Sequence, residues 1–130
     1  MLQKISELFE LFESNKIDYC HWKSINHLDA TLKGITDLDI LVDDSKSNLL
    51  ETQLLVIGFE RFETVILRSY PGIHDYVCLD ISGVWVHLHL HYKLNLGDRW
   101  VKAFHYPIEK RVLSRSLYLE DVNTKIVNPY

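Results

Sequence analysis

The stretch GITDLDILV, residues 34–42, decides the fold because it places two carboxylates inside an apolar β-strand. Successive side chains of a strand point to opposite faces, so Asp37 and Asp39 share one face with Leu41, while Leu38 and its alternate neighbours face a core. The two carboxylates then lie roughly 6–7 Å apart. A divalent cation would relieve their repulsion and offer a ligand to phosphate oxygens. The alternative is an ordinary strand end at the solvent rim.

The segments around this strand predict an α+β fold. Apolar periodicity and turn residues predict helices at 2–15, 24–32 and 43–58, strands at 17–22, 36–42, 60–69, 75–81 and 84–94, and a strand or short helix within 108–120. Ser24 caps the second predicted helix, and Gly34 ends it. The order Asp80-Ile81-Ser82-Gly83 is typical of a type I turn and predicts a β-hairpin. We therefore expect a mixed β-sheet with helices mainly on one face.

Length and charge limit the possible partners. The 130 residues suit one domain, 1–130, and the apolar ending VNPY suggests the N-terminal part of a longer protein. A net charge of −4 gives no broad attraction for nucleic acid or anionic membrane, so a phosphate-bearing substrate needs local cations or a metal. No signal peptide and no apolar run of roughly 20 residues is present, which predicts a cytoplasmic protein without a membrane partner.

A strand with three histidines, VHLHLH at residues 86–91, is the second polar feature. Alternation places the three imidazoles on one face, but residues i and i+4 lie roughly 13 Å apart, too far for one ion to bind all three. An adjacent pair, helped by another strand, could bind Zn²⁺. The alternatives are direct ligation by His89 alone, or a polar face lining the same open side as Asp37 and Asp39. We expect Asp37, Asp39 and His89 to converge on the sheet face away from the helices.

Three ordered blocks, residues 22–24, 36–42 and 88–94, resemble the nucleotidyltransferase (DNA polymerase β-like) superfamily. They are similar to a poorly characterised bacterial branch that reads K-G, then s-D-h-D-h-L-V, then h-D-h-H-w-R-L. The resemblance covers about residues 17–95. A similar domain precedes a kinase-like domain in some surface-polysaccharide gene products.

This resemblance implies a reaction and a set of site residues. Asp37 and Asp39 would hold Mg²⁺ (or Mn²⁺), with His89 as a third ligand or base. Lys23, Ser24 and Thr36 would bind the nucleotide at a helix N-terminus, where free N–H groups favour phosphate. The implied activity is transfer of a nucleoside monophosphate from an NTP to a hydroxyl or phosphate acceptor, such as a sugar or another small molecule.

Two departures from the family pattern leave a second interpretation open. Lys23-Ser24 stands where the branch has a glycine, which restricts how closely backbone can approach a triphosphate. His89 stands where the branch has a third carboxylate, and Mg²⁺ prefers oxygen ligands. Asp80 is the only acid nearby in the sequence, and the hairpin turn accounts for it. The alternative function is a catalytically impaired nucleotide-binding or docking module serving a C-terminal, kinase-like domain.

Overall fold

A computed structural model describes residues 1–23, 25–63, 72–96, 104–105 and 107–128. The helices are α1 (Gln3–Ser14), α2 (Leu28–Leu32), α3 (Ser47–Val56) and α4 (Glu109–Ser114). The strands are β1 (Tyr19–His21), β2 (Leu38–Val42), β3 (Glu60–Phe62), β4 (Ile73–Leu79), β5 (Trp85–His91), β6 (Asn95–Leu96), β7 (Phe104–His105), β8 (Leu117–Leu119) and β9 (Thr124–Ile126). Short 3-10 turns cover Ile25–His27, Asp44–Lys46 and Glu120–Val122.

Seven strands form one mixed sheet in the order β3-β4-β5-β2-β1-β9-β8. Strand β2 runs parallel to β5 and antiparallel to β1, and β1 in turn runs parallel to β9. The remaining neighbours in this sheet pair antiparallel. Strands β6 and β7 form a separate two-stranded ribbon. The expected α+β architecture with a mixed sheet is therefore confirmed.

The main core fills the space between one face of the sheet and helices α1, α2 and α3. Helix α1 presents apolar residues at helical spacing, so a single stripe of the helix is buried against the strands. The fully buried aliphatic side chains of this core include Ile5, Leu8, Leu38, Ile40, Leu50, Leu54 and Leu88. Alternation in β2 and β5 sends the other residues of these strands to the opposite face.

A smaller apolar cluster lies on that opposite face. Leu113 of α4 packs with Cys20, Leu41 and Leu94, so the tail supplies one short helix on the side without the main core. The helices lie mainly on one face, as expected, and α4 is the exception. Within the described segments, no helix combines the length and apolar character that crossing a membrane requires.

The β4–β5 hairpin forms as predicted, and its turn accounts for Asp80. The Gly83 amide donates to the Asp80 carbonyl at 2.9 Å, and the Asp80 carboxylate accepts from the backbone amides of Ser82 and Lys4. The predicted strand at 60–69 is seen only as Glu60–Phe62, and residues 64–71 lie outside the described part of the chain. Strand β5 ends at His91, three residues before the predicted limit.

Candidate functional site

The parallel pairing of β2 with β5 brings the two polar stretches of the sequence together. Asp39 lies opposite His89 in this register, and Asp37 immediately precedes β2. The Asp37 carboxylate contacts two imidazoles: Oδ1 lies 3.2 Å from Nδ1 of His87, and Oδ2 lies 3.1 Å from Nε2 of His89. Asp37, His87 and His89 can each offer one ligand atom within 4.8 Å of the others. The expected convergence of Asp37 and His89 on one face is observed, and His87 joins them.

Asp39 points to the same side but uses a different histidine. Its Oδ1 lies 3.1 Å from Nε2 of His91, whose side chain is almost fully buried. Burial acts to raise the pKa of Asp39, but the hydrogen bond to His91 and the charges of His91, His89 and Lys23 outweigh it and lower that pKa. Asp39 is therefore a carboxylate that stays ionised although its side chain is largely covered.

Asp75 is an acidic residue of the site that the sequence motifs did not single out, and its position corrects the expectation that Asp80 is the only nearby acid. It lies on β4 directly opposite His89 in the antiparallel pair. Its Oδ1 is 2.7 Å from Nδ1 of His89 and 3.9 Å from Nε2 of His87. Counting back from the predicted hairpin turn would have placed Asp75 within about one residue of this position, so the signal was present in the sequence.

His89 therefore stands between two carboxylates. Burial acts to lower its pKa, but the hydrogen bond and charge of Asp75, the hydrogen bond to Asp37 and the charge of Asp39 prevail, and the pKa of His89 is raised. His91 shifts in the opposite direction, because burial lowers its pKa more than Asp39 raises it. Neighbouring histidines of one strand thus favour different protonation states.

Lys23 lies close enough to Asp39 for its charge to act on that carboxylate. The backbone amide of Trp22 donates to the Asp39 carbonyl at 3.3 Å, which extends the β1–β2 pairing by one residue. The Lys23 ammonium lies 4.4 Å from the centre of the Trp22 ring, and the ring of Trp22 meets His91 edge-on at 5.0 Å. Lys23 thus provides positive charge next to Asp39, which the lowered pKa of Asp39 reflects.

The other two predicted nucleotide-binding residues are Thr36 and Ser24. The Thr36 hydroxyl lies 2.8 Å from the Thr31 hydroxyl, so in this structure it is engaged with helix α2. Ser24 lies outside the described residues. His21, a neighbour of the Trp22 block, is buried with its Nε2 3.1 Å from the Thr124 hydroxyl and is part of the packed sheet.

Comparison with known proteins bears on the fold. No family model matches the chain, and a search of curated proteins finds no match. Among solved structures, the lincosamide antibiotic adenylyltransferase LnuA, bound to lincomycin, superimposes with a TM-score of 0.53. The alignment covers 97% of this chain and 79% of LnuA. This chain has a nucleotidyltransferase-like fold. At 12% sequence identity the likeness establishes the fold alone, and the assignment of the three sequence blocks to a particular branch of the nucleotidyltransferases stays a prediction.

Proposed function

We propose that this chain transfers a nucleoside monophosphate from an NTP to a hydroxyl or phosphate group of a small-molecule or sugar acceptor. The observation that supports this proposal most is the grouping of Asp37, Asp39 and His89 on the open face of a nucleotidyltransferase-like sheet, with Lys23 beside them. LnuA, an adenylyltransferase in complex with lincomycin, makes a nucleotide and a small-molecule acceptor the natural partners to test.

Each residue of the proposed site has a distinct task. Lys23 supplies a cation for the triphosphate, and Ser24 and Thr36 are the proposed hydroxyl donors to its phosphates, for which Thr36 would exchange its contact with Thr31. Asp37, whose side chain is 52% exposed, is open to an incoming ligand, whereas Asp39 lies deeper and holds its negative charge through His91. Catalysis of this kind depends mainly on positioning and on stabilising charge.

His89 is the proposed proton acceptor for the attacking hydroxyl. Its raised pKa makes the imidazole a stronger base than an isolated histidine, and Asp75 fixes the ring from the side opposite Asp37. Proton transfer from an acceptor hydroxyl to His89 would leave the imidazolium between two carboxylates. The surroundings of His89 therefore stabilise its charged form.

A divalent cation is the expected cofactor, since it neutralises charge on the triphosphate during nucleotidyl transfer. Asp37 and Asp39 would hold it, and His89 would be its third ligand only in place of acting as the proton acceptor, because one imidazole lone pair cannot do both. The donors on this face include imidazole nitrogen, and Mg²⁺ prefers oxygen alone. The site therefore fits Mn²⁺, which tolerates nitrogen ligands, better than Mg²⁺.

The test is release of pyrophosphate from each common NTP with a panel of sugar and small-molecule acceptors, using Mg²⁺ or Mn²⁺. We expect turnover to be faster with Mn²⁺, and Asp37→Asn to reduce it on the order of 100-fold, the typical cost of removing a preorganised charge contact. Asp29→Asn is the matched control, because Asp29 is an exposed carboxylate that pairs with Lys33 on helix α2.

His89→Asp tests the role of the histidine in the same assay. The substitution adds a hard oxygen ligand, so we expect the ratio of Mg²⁺-supported to Mn²⁺-supported turnover to rise by about tenfold. Binding of NTP without pyrophosphate release, in both wild type and His89→Asp, would contradict the proposal. That result would favour the docking-module alternative.

A further inference from the structure

We propose that Asp37, His87 and His89 form a Zn²⁺ site that requires neither a bound nucleotide nor Asp39. The proposal concerns the histidine strand and reaches beyond nucleotidyl transfer. Two of its ligands, Asp37 and His89, also belong to the proposed nucleotidyl-transfer site, whereas His87 does not, so zinc binding is tested without nucleotide and through His87.

The spacing of the donor atoms fits tetrahedral coordination. With zinc–ligand bonds of about 2.0–2.1 Å, neighbouring donors of a tetrahedron lie about 3.3 Å apart. The two distances from the Asp37 carboxylate oxygens to His87 Nδ1 and His89 Nε2 are 3.2 and 3.1 Å. The rings of His87 and His89 lie with their centres 4.2 Å apart, so both can direct a nitrogen toward the same point near Asp37. One ligand atom from each side chain lies within 4.8 Å of the other two, so rotation of the side chains would bring both imidazole nitrogens and one Asp37 oxygen to tetrahedral spacing.

Asp75 occupies the position of an outer carboxylate behind both proposed histidine ligands. Histidines that bind a metal through one nitrogen commonly direct the other N–H to a carboxylate, which fixes the ring tautomer and orientation. His89 turns Nε2 to Asp37 and Nδ1 to Asp75, and His87 turns Nδ1 to Asp37 and Nε2 toward the same Asp75 oxygen. The two rings are thus held between an inner and an outer carboxylate.

One atom in this group supports the assignment independently. Within the described part of the chain, His87 Nε2 is a buried atom without a hydrogen-bond partner, and it faces Asp75 Oδ1 at 3.9 Å. Buried polar atoms are normally satisfied, so this ring nitrogen calls for an explanation. Zinc bound at His87 Nδ1 would place the proton on Nε2, where a small movement of the ring completes a hydrogen bond to Asp75.

Three protein ligands leave one coordination position open. The side chains of Asp37, His87 and His89 are 52%, 34% and 27% exposed, so the site opens to solvent. Zinc sites with three protein ligands characteristically hold water or substrate in the fourth position. An oxygen of a phosphate or of an acceptor hydroxyl has the chemistry to occupy it.

The experiment is calorimetric titration of metal-stripped protein with Zn²⁺ in the absence of nucleotide. We expect one Zn²⁺ per chain with a Kd of about 1 μM or below, at least about 100-fold tighter than Mg²⁺. His87→Gln should weaken Zn²⁺ binding by at least about tenfold, and Asp75→Asn by about 10- to 100-fold. The exposed-surface variant His27→Gln should leave the Zn²⁺ affinity within about twofold of wild type, and Asp39→Asn, which removes only a nearby charge, should weaken it less than His87→Gln does.

Folding and coordination are checked on the same variants. Far-UV circular dichroism confirms that each metal-free variant is folded, and Co²⁺ absorption reports tetrahedral coordination in the wild type and its loss in His87→Gln. Absence of Zn²⁺ binding by the wild type, or equal Zn²⁺ affinity in folded His87→Gln, would overturn the proposal. Asp39→Asn separates the two proposals, because we expect it to abolish nucleotidyl transfer while it retains Zn²⁺.

Discussion

His21 shows how one buried side chain links protonation to folding. Its ring is almost inaccessible, packs edge-on against Phe9, and lies 3.1 Å from the Thr124 hydroxyl. Burial lowers the pKa of His21 from 6.5 to about 4, against a smaller opposing effect of Asp39. Because the unfolded chain binds the proton more tightly, the stability that neutral His21 provides is lost as pH falls from about 6.5 to about 4.

The corresponding prediction concerns His21→Gln, which keeps a polar side chain but cannot titrate. Between pH 7 and pH 5 the wild type should lose about 2 kcal/mol more of its free energy of unfolding than His21→Gln, as the lowered pKa requires. Urea unfolding at the two pH values measures the difference. His27→Gln, which removes an exposed histidine, should retain the wild-type pH dependence. An identical pH dependence in wild type and His21→Gln would show that another group is responsible.

For individual residues, the sequence predicted the sheet face on which a side chain lies better than it predicted the contacts between side chains. Alternation correctly placed Asp37 and the histidines of β5 away from the main core, because the period of a strand is fixed by its backbone. It could not show that Asp37 contacts His87 as well as His89, since that depends on rotamers and on the register between β2 and β5. The position of Asp75 needed the exact hairpin register, which a turn signature fixes only to about one residue.

Helix α4 packs on the sheet face that carries the candidate site. Leu113 is its buried contact and covers Cys20 and Leu41, both fully buried under it. Leu113→Ala should lower the free energy of unfolding by about 2 kcal/mol, the lower end for a truncated core leucine, because the cluster around Leu113 is small. Leu117→Ala is the control: Leu117 is 40% exposed on β8, and its truncation should cost no more than about 0.5 kcal/mol.

Chemical denaturation of the two variants under identical conditions gives the comparison. Equal losses of unfolding free energy for Leu113→Ala and Leu117→Ala would mean that α4 does not stabilise this face.

Sequence patterns predicted the longer elements and the β4–β5 hairpin, but left residues 108–120 open between strand and helix. Helix α4 has only six residues and one buried side chain, too few to give a clear helical period.

Ligand binding is a property of the whole molecule, since it adds to the stability of the entire folded state. At about 100 times its dissociation constant, an NTP with Mn²⁺ adds about 2.7 kcal/mol and should raise Tm by roughly 10 °C. The double variant Asp37→Asn with Asp39→Asn should abolish this shift while the metal-free protein stays folded. Differential scanning calorimetry with and without ligand measures the shift in Tm. If the double variant shows the same shift as the wild type, the nucleotide binds elsewhere.

The complete strand order of the sheet could not be predicted from the sequence. The α+β class and the mixed sheet followed from the order of segments, but the pairing of β1 with β9 joins the two ends of the described chain. Strands of three residues carry almost no periodic signal, and nothing local specifies a partner so distant in sequence. The nucleotidyltransferase-like fold was therefore predicted from its motif blocks and not from a derived topology.

The duration of protein synthesis sets the earliest time at which β1 can pair with β9. The hydroxyl of Thr124 contacts both Tyr19 and His21, and the separation from Tyr19 is 105 residues. At translation rates of about 5–20 residues per second, roughly 5 to 20 s pass between synthesis of Tyr19 and of Thr124. Until then the edge of β1 that pairs with β9 has no partner strand. In a nascent chain on the ribosome, this edge is accessible to chaperones. Slower translation just before residue 124 would lengthen the time for which this edge stays unpaired.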